Sequence, residues 1–203
     1  MAKPKYIVAN LSELIDIFGE DTADSILSDF SCPINQDIEN FLKHRATIFA
    51  KQRIAMTHLV FSPPDPRPML LGYFTLTNKS VAVDAKSLNS NLRSRISRHG
   101  SYDDTLEKYV VPMPLIAQFG KNFTNSCNDL ITGEELMSLA LEKIQNVESE
   151  IGGCLTYIEC EDKPELVRFY QNSKFVEFAR RSIDQDETGL SGHCLIQMLK
   201  FIR

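Results

Sequence analysis

A chain of 203 residues with 43% hydrophobic and 24% charged residues can bury a core, and that length favours one elaborated α/β domain spanning 1–203. The net charge of −5 excludes general attraction to nucleic acid, so any anion site has to be built locally. No apolar run approaches membrane-spanning length and Met1-Ala2-Lys3-Pro4-Lys5 leads into structure, so a cytoplasmic protein without a membrane partner is expected.

Tyr6-Ile7-Val8-Ala9 is the first strand candidate, followed by Leu11, Leu14, Ile15 and Phe18 at helical spacing and by a second short helix from Asp21 towards Phe30. One longer helix is predicted from Asp37 to Lys51, with Ile38, Phe41, Leu42, Ala46 and Phe49 along one side. Thr57 to Phe61 and Met69 to Leu76 read as an antiparallel pair, joined by a segment from Ser62 to Pro68 whose prolines exclude regular structure. A further short element, Val81 to Val83, precedes an inserted basic helical segment at about 84–108. Its apolar positions are Leu88, Leu92 and Ile96, and it carries Lys86, Arg93, Arg95, Arg98 and His99. A solvated helix face and a cover that binds an anionic substrate both fit that pattern.

The stretch from Val110 to Val147 organises the rest. Val110, Val111, Met113, Leu115, Ile116, Ala117 and Phe119 form a buried strand pattern, made irregular by Pro112 and Pro114. A polar loop from Gly120 to Asp129 follows, with backbone N–H groups expected to lie free. Thr132 and Glu135 then make a capping box, and Leu136, Met137, Ala140, Leu141, Ile144 and Val147 mark one buried helical face. Strand, loop and helix start together suit a phosphate group, although an ordinary βα unit reads the same way. Cys154 to Cys160 is the next strand; Asp162, Pro164 and Glu165 signal a helix with Asp162 as cap; Phe175 to Phe178 is extended, and Cys194 to Phe201 is the last strand. The five cysteines and four histidines are scattered, without the spacing of a disulfide framework or a metal site.

The run from Lys163 to Phe175 resembles the segment after the fifth strand of the GNAT N-acetyltransferase superfamily, where a short helix carries a tyrosine and closes with a Gly-Phe pair. Tyr170 matches the tyrosine and Phe175 the phenylalanine, while Lys174 stands where glycine is usual. The organising stretch is similar to that family's acyl-CoA signature, Arg/Gln-x-x-Gly-x-Gly/Ala. Asn128 takes its first place, Ile131 that of the middle glycine and Gly133 the last. Phe30-Ser31-Cys32, the apolar set from Ile38 to Ala46 and Leu71-Gly72-Tyr73-Phe74-Thr75-Leu76 resemble a branch that includes toxin-type acetyltransferases.

The resemblance implies a mixed, mostly antiparallel central sheet of six to seven strands flanked by helices and splayed between strands four and five. It implies direct transfer of an acetyl group from acetyl-CoA to an amine, with no metal. Gln118, Phe119 and Gly120 would face the pantetheine arm, and Asn128, Asp129, Leu130, Ile131, Thr132, Gly133 and Glu134 the pyrophosphate, with Phe169 nearby. Tyr170 would protonate the departing thiolate, and Glu159 or Glu161 would serve the amine as base; no partner that would make Cys127 or Cys160 a nucleophile is identifiable. Small molecules, peptides and charged tRNA remain open as acceptors, as does a homodimer. Ile131 also leaves open a non-catalytic acyl-CoA-binding module.

Overall fold

The computed structural model describes residues 5–64, 67–84, 86, 88–183 and 192–202. Asp65 and Pro66 of the proline-rich connection and positions 85 and 87 of the insertion lie outside them. The chain divides into two units, Met1–Thr77 with Ile116–Ala140, and Asn78–Leu115 with Leu141–Arg203. Eight strands make a mixed, mostly antiparallel sheet flanked by helices, the architecture the resemblance implies but with more strands than the six to seven expected.

In the first unit β1 (Ile7–Asn10) pairs antiparallel with β2 (Met56–Phe61), and β2 with the first half of β3 (Leu70–Val83). That half of β3 lies beside the end of β5 (Lys108–Lys121). Helix α1 (Leu11–Phe18) starts where the Asn10 side chain accepts the Ser12 N–H at 2.9 Å, and α2 (Glu20–Ser28) follows Gly19. Leu11, Leu14, Ala23 and Leu27 bury into a core with Phe30, Phe41, Leu42, Leu59 and Tyr73. Phe18 does not join them and is 64% exposed, because the chain turns away at Gly19 with φ 84°.

The single helix expected over 37–51 is two: α3 (Gln36–His44) and α4 (Ala46–Lys51), separated at Arg45 with φ −122° and ψ −29°. Neither proline nor glycine marks the break. Phe41 and Leu42 on one side of it and Ala46 and Ala50 on the other all reach the same core, and packing overrides the continuous helical pattern. Glycines let the layers close up. A Cβ on Gly120 would lie 2.5 Å from Ile38 Cγ2, and one on Gly72 would lie 2.8 Å from the Gly120 carbonyl oxygen.

In the second unit the rest of β3, which absorbs the element expected separately at Val81–Val83, leads to α5 (Ser90–His99). Then come β4 (Ser101–Asp103) and the first part of β5, paired antiparallel. β5 meets β6 (Leu155–Glu161) in parallel, with Leu115 opposite Tyr157 as the registered pair. β8 (Cys194–Phe201) pairs antiparallel with β6 from Leu155↔Phe201 to Glu161↔Leu195, and β7 (Val176–Ser182) pairs with β8.

The long helix α6 (Gly133–Ile151) begins in the first unit and ends in the second. Leu136, Met137, Ala140 and Ile144 are buried as predicted, but Val147 is 42% exposed. The face that continues from Ile144 runs through Glu148 instead, a buried carboxylate that accepts the Leu155 N–H at 3.1 Å.

Candidate functional site

The strand-to-helix connection is more tightly bonded than its composition suggests. Asn122 is buried: its side-chain oxygen accepts from the Ser31 and Thr124 amides at 2.9 and 3.1 Å, and its Nδ2 donates to the Leu70 carbonyl at 2.9 Å. The Asn122 and Phe123 amides donate to the carbonyls of Leu71 and Ser31, both at 2.8 Å. Residues Thr124–Asp129 coil into a 3₁₀ turn in which Asn125 and Ser126 take left-handed φ values of 50° and 58°. The loop amides expected to be free are therefore consumed at 122–124. The reason is that this segment has to be pinned to Asp29, Ser31 and Leu71.

The helix start fulfils the capping-box prediction: Thr132 N–H donates to Glu135 at 2.9 Å, and Glu135 N–H to the Thr132 hydroxyl at 3.1 Å. The amides of Ile131, Gly133 and Glu134 donate to no group among the described residues, so the open donors sit at the first turn of α6. Ile131 takes the middle-glycine place without backbone strain, since its φ is negative and its side chain is buried. Lys121 holds this turn by donating to the carbonyls of Asn128 and Ile131 at 2.8 and 3.2 Å. Asp129, Glu134 and Glu135 set negative charge against an anion here. The charge of Glu135 is offset by the Lys5 ammonium bonded to it, which also holds that carboxyl ionised down to about 2. Upstream, Gln118 donates to Asp37 at 3.1 Å, Phe119 is half-buried, and Gly120 is needed for the approach of Ile38.

In the second unit Tyr170 lies on α7 (Pro164–Asn172). Asp162 does not cap that helix. Its carboxylate bonds Arg180 at 2.5 Å, and Lys163 occupies the N-cap position without a side-chain cap bond. The C-terminus is the better defined end. Phe175 N–H donates to the Tyr170 carbonyl at 3.0 Å and Lys174 N–H to that of Gln171 at 2.9 Å, a Schellman closure with Lys174 at φ 68°. The Phe175 ring packs edge-on against Tyr170 with centroids 5.9 Å apart, completing the motif's apolar contact, and Phe169 meets Tyr170 at 5.1 Å. The Tyr170 hydroxyl bonds to no group among the described residues. Burial, with the Cys160 thiol as a smaller influence, raises its pKa well above the ordinary phenol range and keeps the proton on.

Strand alternation separates this phenol from the expected base. Cys160 lies near Tyr170, so Glu159 points to the opposite face of β6. There Glu159 Oε2 accepts from Arg181 at 2.6 and 3.0 Å, and Oε1 accepts from Gln197 at 2.8 Å. Glu161 is buried and accepts from Lys163 at 2.9 Å. Neither thiol suits a nucleophile. Burial pushes Cys160 up to about 11 and raises Cys127 as well. Among the described residues no group of three or more His, Cys, Asp or Glu side chains is placed to hold a metal, and no helix is long and apolar enough to cross a membrane.

No family model matches the sequence, and no curated protein matches it. Solved structures do match in fold. A tyrosine-to-phenylalanine variant of KacT superposes with a TM-score of 0.62 at 14% identity, covering 96% of this chain and 95% of that one. AtaT complexed with acetyl-methionyl-tRNAfMet gives 0.62 at 15%, covering 94% and 93%, and a bacterial toxin gives 0.63 at 14%, covering 98% and 92%. The chain has the GNAT fold. One AtaT structure of this fold is a complex with its antitoxin's C-terminus and acetyl-CoA. Within the GNAT fold, Lys121, Asn122, Thr156, Arg181 and Lys200 are bonding residues that sequence reasoning missed. Each acts on a partner distant in sequence or on a backbone carbonyl, which no local periodicity reports.

Proposed function

We propose that the chain is a cytoplasmic GNAT-type N-acetyltransferase that moves an acetyl group from acetyl-CoA to a primary amine by direct attack. The observation that carries this reading is Tyr170, a protonated phenol whose hydroxyl has no partner among the described residues. The ring is half-buried, so that hydroxyl stays open to a ligand instead of being held inside the core.

In the reaction, the amine nitrogen forms a bond to the thioester carbonyl carbon, the carbon–sulfur bond breaks, and sulfur leaves with the bonding pair. Tyr170 gives its proton to that thiolate and is reprotonated from solvent, which takes up the proton lost by the amine. The open amides of Ile131, Gly133 and Glu134 are assigned to the pyrophosphate, with Asn128, Asp129, Leu130 and Thr132 shaping their turn. Backbone groups of Gln118, Phe119 and Gly120 are assigned to the pantetheine arm, and Phe169 to packing beside Tyr170. Glu159, its carboxylate held by Arg181 and Gln197, is assigned to the amine as its base, directly or through water.

Calorimetry with acetyl-CoA, together with thiol release across an amine panel, tests the proposal. Tyr170→Phe is expected to lower turnover by about 10²- to 10⁴-fold with little change in acetyl-CoA affinity. Binding without turnover for any amine would make the chain a binding module instead; equal turnover would remove Tyr170 as the acid.

A second reading narrows the acceptor to the amino group of an aminoacyl-tRNA. It is favoured by α5, which carries Arg93, Arg95 and Arg98 and no acid in a chain of net charge −5, and by the tRNA complex of AtaT among the fold's relatives.

A further inference from the structure

Two side chains that stand opposite one another in the β6–β8 ladder, Thr156 and Lys200, reach different ends of the machinery assigned above. Directly opposed residues of an antiparallel pair project to the same face. The Thr156 hydroxyl donates to the Pro114 carbonyl at 2.8 Å, one residue before the registered Leu115↔Tyr157 pair of β5 and β6. The Lys200 ammonium donates to the Ser173 carbonyl at 2.6 Å, at the C-cap of α7, and lies 5.9 Å from the centre of the Phe175 ring. Ser173 is also where the helix hands over to the left-handed Lys174 and to Phe175, whose ring abuts Tyr170. A cation at a helix C-terminus satisfies an orphan carbonyl and complements the dipole, so the contact fixes the last turn of α7. Lys200 is partly buried, and the burial together with Lys174 lowers its pKa.

We propose that Lys200 is a positioning residue for Tyr170: it sets where the phenol stands relative to the point at which β5 leaves β6. This rests on the acetyltransferase reading. The Lys200 bond to the Ser173 carbonyl holds the end of α7, and Thr156 opposite it in the ladder holds β5 at Pro114.

The test is a double-mutant cycle on the full chain, reading kcat and acetyl-CoA Kd for Lys200→Met, Tyr170→Phe and both together. Lys200→Met is expected to lower kcat about 10-fold or more with Kd within about twofold, as misplacement of a reacting group does. In the Tyr170→Phe background the same change is expected to have almost no effect, because the group it positions is gone. Lys200→Arg should recover most of kcat. Lys200→Gln, a shorter donor, runs through the same cycle and decides the matter if the methionine variant does not fold. Equal losses in both backgrounds, or unchanged kcat, overturn the positioning role. Full turnover by Tyr170→Phe alone overturns the acid assignment itself, a different result.

Discussion

Lys174 holds a left-handed φ of 68° at the position that closes α7, where the backbone bonds of the closure need the conformation but not the side chain. The side chain is exposed and makes no ion pair among the described residues, and its charge lies close enough to Lys200 to oppose it. A left-handed residue with a Cβ costs roughly 1–2 kcal/mol, whereas glycine occupies the region freely. Glycine gives back roughly 0.5–1 kcal/mol through its looser unfolded chain. The net expectation for Lys174→Gly is a stabilisation of about 0.5–1 kcal/mol. For a domain of this size that is roughly 1–4 °C in Tm, together with a higher denaturation midpoint at unchanged slope. Lys174→Ala separates the causes. It removes the charge but keeps the Cβ, so it should gain little. A glycine variant no more stable than wild type would refute the strain argument, and an alanine variant that matched glycine would transfer the effect to repulsion from Lys200.

Glu135, held at about 2 by Lys5, carries a pH signature. A depressed carboxyl contributes stability above its unfolded pKa near 4.5 and loses it as pH falls through the folded value. The Tm gap between wild type and Glu135→Gln should therefore be full at about pH 6 and close between about pH 4.5 and about pH 2; a gap independent of pH would remove the ion pair as its cause. Gly72→Ala puts a Cβ 2.8 Å from the Gly120 carbonyl oxygen and 3.3 Å from Lys121 Cα, so a loss of about 1–3 kcal/mol is expected in chemical denaturation. For the second functional reading, Arg93→Glu with Arg98→Glu should weaken binding of charged tRNA in anisotropy titrations and flatten the salt slope by about one for each phosphate no longer neutralised. Arg95 is left in place because it packs over Phe201 at 4.6 Å; a wild-type chain that binds no RNA at low salt would remove that reading.

Where local chemistry decides, the sequence was readable. The Thr132–Glu135 box, the last strand over Cys194–Phe201 and the amphipathic register of α6 up to Ile144 follow from caps, alternation and helical spacing alone. Tyr170 and Phe175 were legible through resemblance, and the left-handed Lys174 explains in backbone terms why glycine is usual there. Tertiary demands hid the rest. Nothing local separates α3 from α4 at Arg45, and Val147 looks as apolar as its neighbours until Glu148 finds the Leu155 amide. The partners of Glu159 were hidden as well, because only the folded chain brings Arg181 and Gln197 onto it. The loop looked available because Asn122 gives no sign that its side chain will bind three backbone groups from distant and adjacent residues.

The prolines of β5 protect the protein from itself. Pro114 turns its carbonyl towards β6 through Thr156, so its ring nitrogen faces that edge too, and so does that of Pro112 two residues earlier. An unpaired stretch of strand border would ordinarily invite a stray segment to add on and seed aggregation. With no donor at Pro112 or Pro114, this stretch offers an intruding strand acceptors alone.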